Sequence, residues 1–135
     1  MIIISEKGGD PDISHRRGMS GIRKGCVRLK ILILGTEYDI NKRRVEDDIL
    51  LESRAGYCDN TTKSIITCIL RPELGSSVDV EPEAKRLLRH EIIHAFMYES
   101  GLDENSKWGT DEELVDWIAI QFPKILKVFQ EVGCI

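Results

Sequence analysis

His90-Glu91-Ile92-Ile93-His94 constrains this chain more than any other stretch. On a helix, residues four apart lie on one face, so both imidazoles can reach a single point. Glu91 leans toward the same side. The H-E-x-x-H pattern thus joins two nitrogen ligands for a divalent metal to a carboxylate base for a water that the metal ionises. That chemistry requires the segment to be helical, a third ligand to exist, and something to pack behind the helix.

The segment carries its own boundaries. Glu81-Pro82-Glu83 opens it, because proline suits a first helical turn and acids favour the dipole there. Gly101 follows Ser100 as a natural left-handed stop. At about 100° per residue, Leu87, His90, Glu91, His94, Met97 and Tyr98 share one side. Ala84, Leu88, Ile92 and Ala95 form an adjacent apolar side. The pattern predicts a helix buried over much of its girth, with the histidines facing a cleft and Arg86 and Arg89 left to solvent.

A catalytic zinc site takes three protein ligands and keeps one position open. No histidine follows His94, and Met97 and Ser100 stand where the longer H-E-x-x-H-x-x-G-x-x-H variant needs Gly and His. The third ligand must then be a carboxylate. Thr110-Asp111-Glu112-Glu113 reads as a capping box, Thr110 accepting from the Glu113 amide and Glu113 reaching back. Glu112 and Asp116, four apart, share the next face. Glu112 is therefore the expected metal ligand, with Glu113 the alternative. Asp116 is expected to accept the free N–H of His90 or His94, which fixes the tautomer. This helix runs through Phe122; Pro123 is expected to kink or restart it, and Ile125 to Val132 finishes it.

Upstream the period changes. Val27 to Leu34 reads as a strand ended by Gly35, with Thr36 to Tyr38 extending it after a bend. Asn41 to Ser53 places Val45, Ile49 and Leu50 on one stripe and reads as a short helix or a surface loop. Arg54 to Cys58 and Lys63 to Leu70 flank Asp59-Asn60-Thr61-Thr62, a hairpin signal. Gly75 to Val80 and Leu102 to Gly109 read as loops. The resulting expectation is an α+β fold. A length of 135 residues suits one core. Residues 1–25 are rich in Gly, Ser and charge and read as a mobile leader, leaving 26–135 as the single domain. His15 belongs to that leader and reads as a surface residue.

A net charge of −4 argues against a nucleic-acid or membrane surface. The basic cluster from His15 to Lys30 reads as a solvated tail. Ile2-Ile3-Ile4 is too short for a secretory core and no run spans a membrane, so a cytoplasmic protein is expected. Cys26, Cys58, Cys68 and Cys134 show no C-x-x-C spacing and read as reduced thiols outside the metal site.

Glu112-Glu113-Leu114-Val115-Asp116 after the H-E-x-x-H helix resembles the gluzincin pattern, H-E-x-x-H then E-x-x-x-D. More narrowly, the stretch from about Ser64 to Phe122 is similar to the small ImmA/IrrE-type metallopeptidases of phages and mobile elements. Val115-Asp116 and Ile118-Ala119 stand where that family's second motif has Ala-Asn or Ala-Asp and then Phe-Ala. The chain departs from the family in having Ile93 where Gly commonly precedes the second His, and in lacking a helix-turn-helix domain. The resemblance implies a small zincin-like domain, with an antiparallel or mixed sheet of about three strands packed on the H-E-x-x-H helix. It implies a strand such as Ser64 to Leu70 lining the cleft, and a protein or peptide substrate, a regulatory protein included.

The expected chemistry is zinc-dependent peptide hydrolysis, with Zn²⁺ on His90, His94 and Glu112 and Glu91 as general base. Tyr98, on the same helical face, is the candidate oxyanion donor, with Tyr57 a second. The Ser64 to Leu70 strand is expected to pair with an extended substrate. The alternative is a metal-binding interaction protein of a phage or mobile element that cuts nothing.

Overall fold

The computed structural model describes Ile2–Ile3 and residues 28–75 and 79–135. His15 and the rest of the expected leader lie outside the described residues, apart from Ile2–Ile3, which forms a short strand, β1; Cys26 and Val27 of the expected domain and residues 76–78 of the expected Gly75 to Val80 loop lie outside them too.

Leu29–Ile33 is β2 and Thr36–Arg43 is β3. Between them Leu34 and Gly35 take φ of 47° and 90°. Two successive left-handed residues make the tight turn whose twist matches a hairpin, at little cost for glycine and some for leucine. β3 is longer than expected and includes Asn41–Arg43, which the sequence placed in a helix or loop. Only Tyr38 and Ile40 of this strand are buried, so its apolar signature is thin. The rest of that stretch is two 3₁₀ turns, Val45–Asp47 and Ile49–Glu52. Leu51 is the residue they bury; Val45, Ile49 and Leu50 are exposed. Asp48 pins the turns, accepting from the Leu50 amide, from Arg43 at 2.7 Å and from the Tyr57 hydroxyl at 2.7 Å.

The expected hairpin forms from β4, Gly56–Asp59, and β5, Ser64–Cys68. Asp59 closes it by accepting from the amides of Thr61 and Thr62. The sheet order is β1-β2-β3-β5-β4, with β3 and β5 parallel and the other neighbours antiparallel. The fold is thus α+β with a mixed sheet, larger than the three strands expected because β3 joins by a long-range parallel pairing. That pairing puts β5 inside the sheet, between β3 and β4, and leaves β4 at the edge.

Glu81–Glu99 is α1, Leu102–Asn105 is α2 and Glu112–Glu131 is α3, with a 3₁₀ turn at Lys107–Thr110. The stretch from Leu102 is therefore partly helical rather than a plain loop. α1 lies on β4, β5 and β2. Leu88, Ile92 and Ala95 pack on Ile33, Tyr38, Ile40 and Ile65, as the apolar side of the helix required. Leu87 joins a second cluster with Leu51, Ile66 and Cys68. The far end of α1 is tied to the sheet through Glu99, which accepts from Lys63 (2.6 Å), Tyr38 (2.6 Å) and Thr36 (2.9 Å). Gly101 ends the helix with φ 76°.

Two details of α3 correct the expectation. Its cap is Asp111, whose side chain accepts from the amides of Glu113 and Leu114. Thr110 lies one residue too early and its hydroxyl donates to the Lys107 carbonyl. The helix also runs unbroken through Pro123 to Glu131. Among the described residues no helix is long and apolar enough to cross a membrane, and Cys58, Cys68 and Cys134 are free thiols.

Candidate metal centre

His90 and His94 sit one turn apart on α1, and Glu112 opens α3. His90 Nε2 lies 3.0 Å from His94 Nε2 and 3.0 Å from Glu112 Oε2. His94 Nε2 is 3.3 Å from the same oxygen. Bonds of about 2.0–2.1 Å in a tetrahedron put neighbouring ligand atoms about 3.3 Å apart. These three residues form a group that can hold a metal ion.

The proton count supports the fit. His90 Nδ1 is 2.9 Å from Asp116 Oδ1, and an ionised carboxylate only accepts, so Nδ1 carries the proton. In the neutral ring, Nε2 then presents a lone pair to the Glu112 carboxylate. These atoms lie close enough to share a cation, or a proton on His94 Nε2. Asp116 also accepts from Arg86 Nη1 at 2.6 Å. Burial works against the Asp116 anion, yet the hydrogen bond and charge of His90, with Arg86, hold its carboxyl below the usual range. Arg86 thus supports the site rather than facing solvent, and it is gripped by Glu83 through two further bonds. Arg89 also turns inward, donating from Nε to the Ala119 carbonyl at 2.6 Å.

Glu91 is only 5 % exposed and lines the same cleft as the triad. Burial pushes its carboxyl up to about 7, with His90 opposing, Glu112 adding and Arg54 opposing. Across the cleft stand Arg54 and the β4 residues Gly56, Tyr57 and Cys58. The cleft volume of about 580 Å³ is within the range of about 300–1,000 Å³ usual for ligand sites. The Cys58 thiol is pushed up to about 12 by burial and by the Glu91 charge, which removes it as a nucleophile.

His90, Glu91, His94, Glu112 and Asp116 therefore come together. Tyr98 does not join them: its ring lies 4.7 Å beneath Lys63 Nζ, away from the cleft lining. Tyr57 lines the cleft, but its hydroxyl is committed to Asp48. The strand at the cleft is β4, and β5 has both edges occupied, by β3 and β4. That geometry overturns the expected pairing of substrate with Ser64 to Leu70. Glu113 is not in the ligand group. The sequence reading missed Arg54, Gly56 and Cys58; a glycine in a β-prone run was the one signal available.

No protein-family model, curated protein or solved structure matches the chain, so the site's chemistry rests on its own geometry.

Proposed function

We propose that the chain is a zinc-dependent peptidase. In this reading His90, His94 and Glu112 are the ligands. Two imidazoles, one carboxylate and an open fourth position are a donor set of catalytic zinc sites. Bound zinc supplies a Lewis acid for a scissile carbonyl and lowers the pKa of a water to about 7. Glu91 accepts the proton of the attacking water on its carboxylate and returns it to the leaving nitrogen. Asp116 keeps the His90 proton on Nδ1, so Nε2 stays free to ligate. The outer edge of β4 offers backbone N–H and C=O groups to an extended peptide beside Glu91. The resemblance of His90 to His94 and Glu112 to Asp116 to the gluzincin pattern supports the same chemistry.

One observation carries the reading: the convergence of His90 Nε2, His94 Nε2 and Glu112 Oε2 on one point, beside a buried carboxylate. Elemental analysis and a peptide-library digest test it. Wild type and Glu91→Gln should hold stoichiometric zinc, Glu112→Ala should lose it, and only wild type should cleave. A zinc-free wild type sinks the proposal. Cleavage by Glu91→Gln at the wild-type rate removes Glu91 as base. A zinc-loaded wild type without cleavage leaves the interaction-protein reading in its place.

A further inference from the structure

We propose that Arg89 and Pro123 form a latch between α1 and α3 that sets where Glu112 stands relative to His90 and His94. The inference rests on the metal-site reading above. Pro123 has no N–H, and its ring presses on the carbonyl four residues earlier, which is that of Ala119. Ala119 is fully buried, so water does not reach this carbonyl in place of the missing amide. Arg89 supplies the donor from the other helix, Nε to O at 2.6 Å. This contact explains both departures from expectation, an arginine that turns inward and a helix that passes through proline without stopping.

The latch sits where it governs the ligands. Arg89 is the residue before His90. On α3, Glu112, Asp116 and Ala119 follow the spacing of one helical face. From Arg86 to His94 along α1, the partners on α3 run back from Asp116 to Glu112, so the helices are antiparallel. Asp116 and the buried Val115 side chain hold α3 near its start, where Glu112 stands. A second fixed point at Ala119 sets the helix direction, and with it the place of Glu112 at the end of the lever. Glu112 is otherwise well exposed and held by little else.

Arg89→Ala, Pro123→Ala and the double variant separate positioning from plain stabilisation. The Pro123→Ala change restores the amide that the Ala119 carbonyl lacks. Arg89→Ala should therefore lower the apo thermal midpoint strongly in the wild-type background and weakly in the Pro123→Ala background. Additive midpoints would overturn the latch. In zinc competition with a chromophoric chelator, the double variant should bind about tenfold more weakly than Pro123→Ala, as loss of a ligand-orienting contact does. The visible spectrum of the cobalt-loaded protein should shift with it. Equal affinities and spectra in those two stable proteins would overturn the positioning role. A wild type that binds no zinc would overturn that role together with the metal reading, while the apo midpoints report on the latch separately.

Discussion

Replacing Gly56 by alanine puts a methyl group where β4 and Glu91 already touch. The added carbon would lie 3.0 Å from Glu91 Oε1, 3.0 Å from the Ile66 carbonyl oxygen and 3.2 Å from Glu91 Cγ. An ordinary carbon–oxygen approach is about 3.3–3.6 Å, so the overlap is about 0.3–0.6 Å on two sides. Ile66 belongs to β5, an interior strand, and is paired with Tyr57 of β4, so its backbone cannot retreat alone. The Glu91 side chain is the softer neighbour and gives way. Overpacking of this kind costs about 1–3 kcal/mol. With a urea m-value of about 1–3 kcal/mol/M, the unfolding midpoint should fall by about 1 M. Misplacement of a reacting group by about 1 Å costs about 100-fold in rate, so with Glu91 as the proposed base a smaller shift of its carboxylate should lower kcat by about tenfold or more. Zinc content should stay at the wild-type level, because the three atoms nearest the new methyl belong to Glu91 and Ile66 and not to a proposed ligand. Urea titration, metal analysis and peptide-cleavage kinetics on one preparation check all three. Wild-type stability together with wild-type kcat would refute the close approach of β4 to Glu91.

Asp116→Ala should weaken zinc binding by about 10–100-fold in a chelator competition, because His90 loses the acceptor that orients it. Asp111→Ala should destabilise the fold by about 0.5–2 kcal/mol, lowering the calorimetric midpoint by a few degrees, whereas Thr110→Ala should leave it nearly unchanged. The Glu99 carboxyl is held at about 2, against an ordinary 4.5, chiefly by its bond from Lys63 and then by that from Tyr38. The folded state therefore binds this proton less readily than the unfolded chain. Its contribution is complete above about pH 4.5 and is lost as pH falls toward 2. Glu99→Gln should flatten that part of the acid limb in a series of denaturant melts; an unchanged slope would contradict the anchor.

The helix that carries the pentapeptide was legible because every local signal agreed: Pro82, the acids beside it, the apolar spacing and Gly101. The β4–β5 hairpin was legible for the same reason, through Asp59 and its following threonines. Glu112 was reached by an argument whose premise the structure changes. Asp111 caps the helix, not Thr110, and the side chain that meets the histidines is set by the antiparallel packing of α3 on α1. Contacts that depend on a distant partner were not legible. β3 reads as polar because only Tyr38 and Ile40 face the core, and its pairing with β5 is one that only the folded chain brings together. Arg86 and Arg89 look like solvent residues until α3 arrives with an acid and an unpaired carbonyl. The position of β4 at the sheet edge follows from the same parallel pairing, which local pattern does not encode.

The two halves of the centre have different folding costs. His90 and Glu112 are 22 residues apart and meet through one helix-to-helix connection. Closing a loop of that length is cheap, and it needs none of the sheet. The surroundings of Glu91 are assembled differently, from α1 and a β4 that is held at its edge by β5, itself seated on β3. These contacts run through the parallel pairing of β3 with β5. On the proposed metal reading, the ligand group depends on α1 and α3, whereas the buried setting of Glu91 depends on the sheet as well. On the proposed peptidase reading, mutations that loosen the sheet should then yield proteins that still load metal but no longer turn over, a phenotype in which occupancy and competence part company.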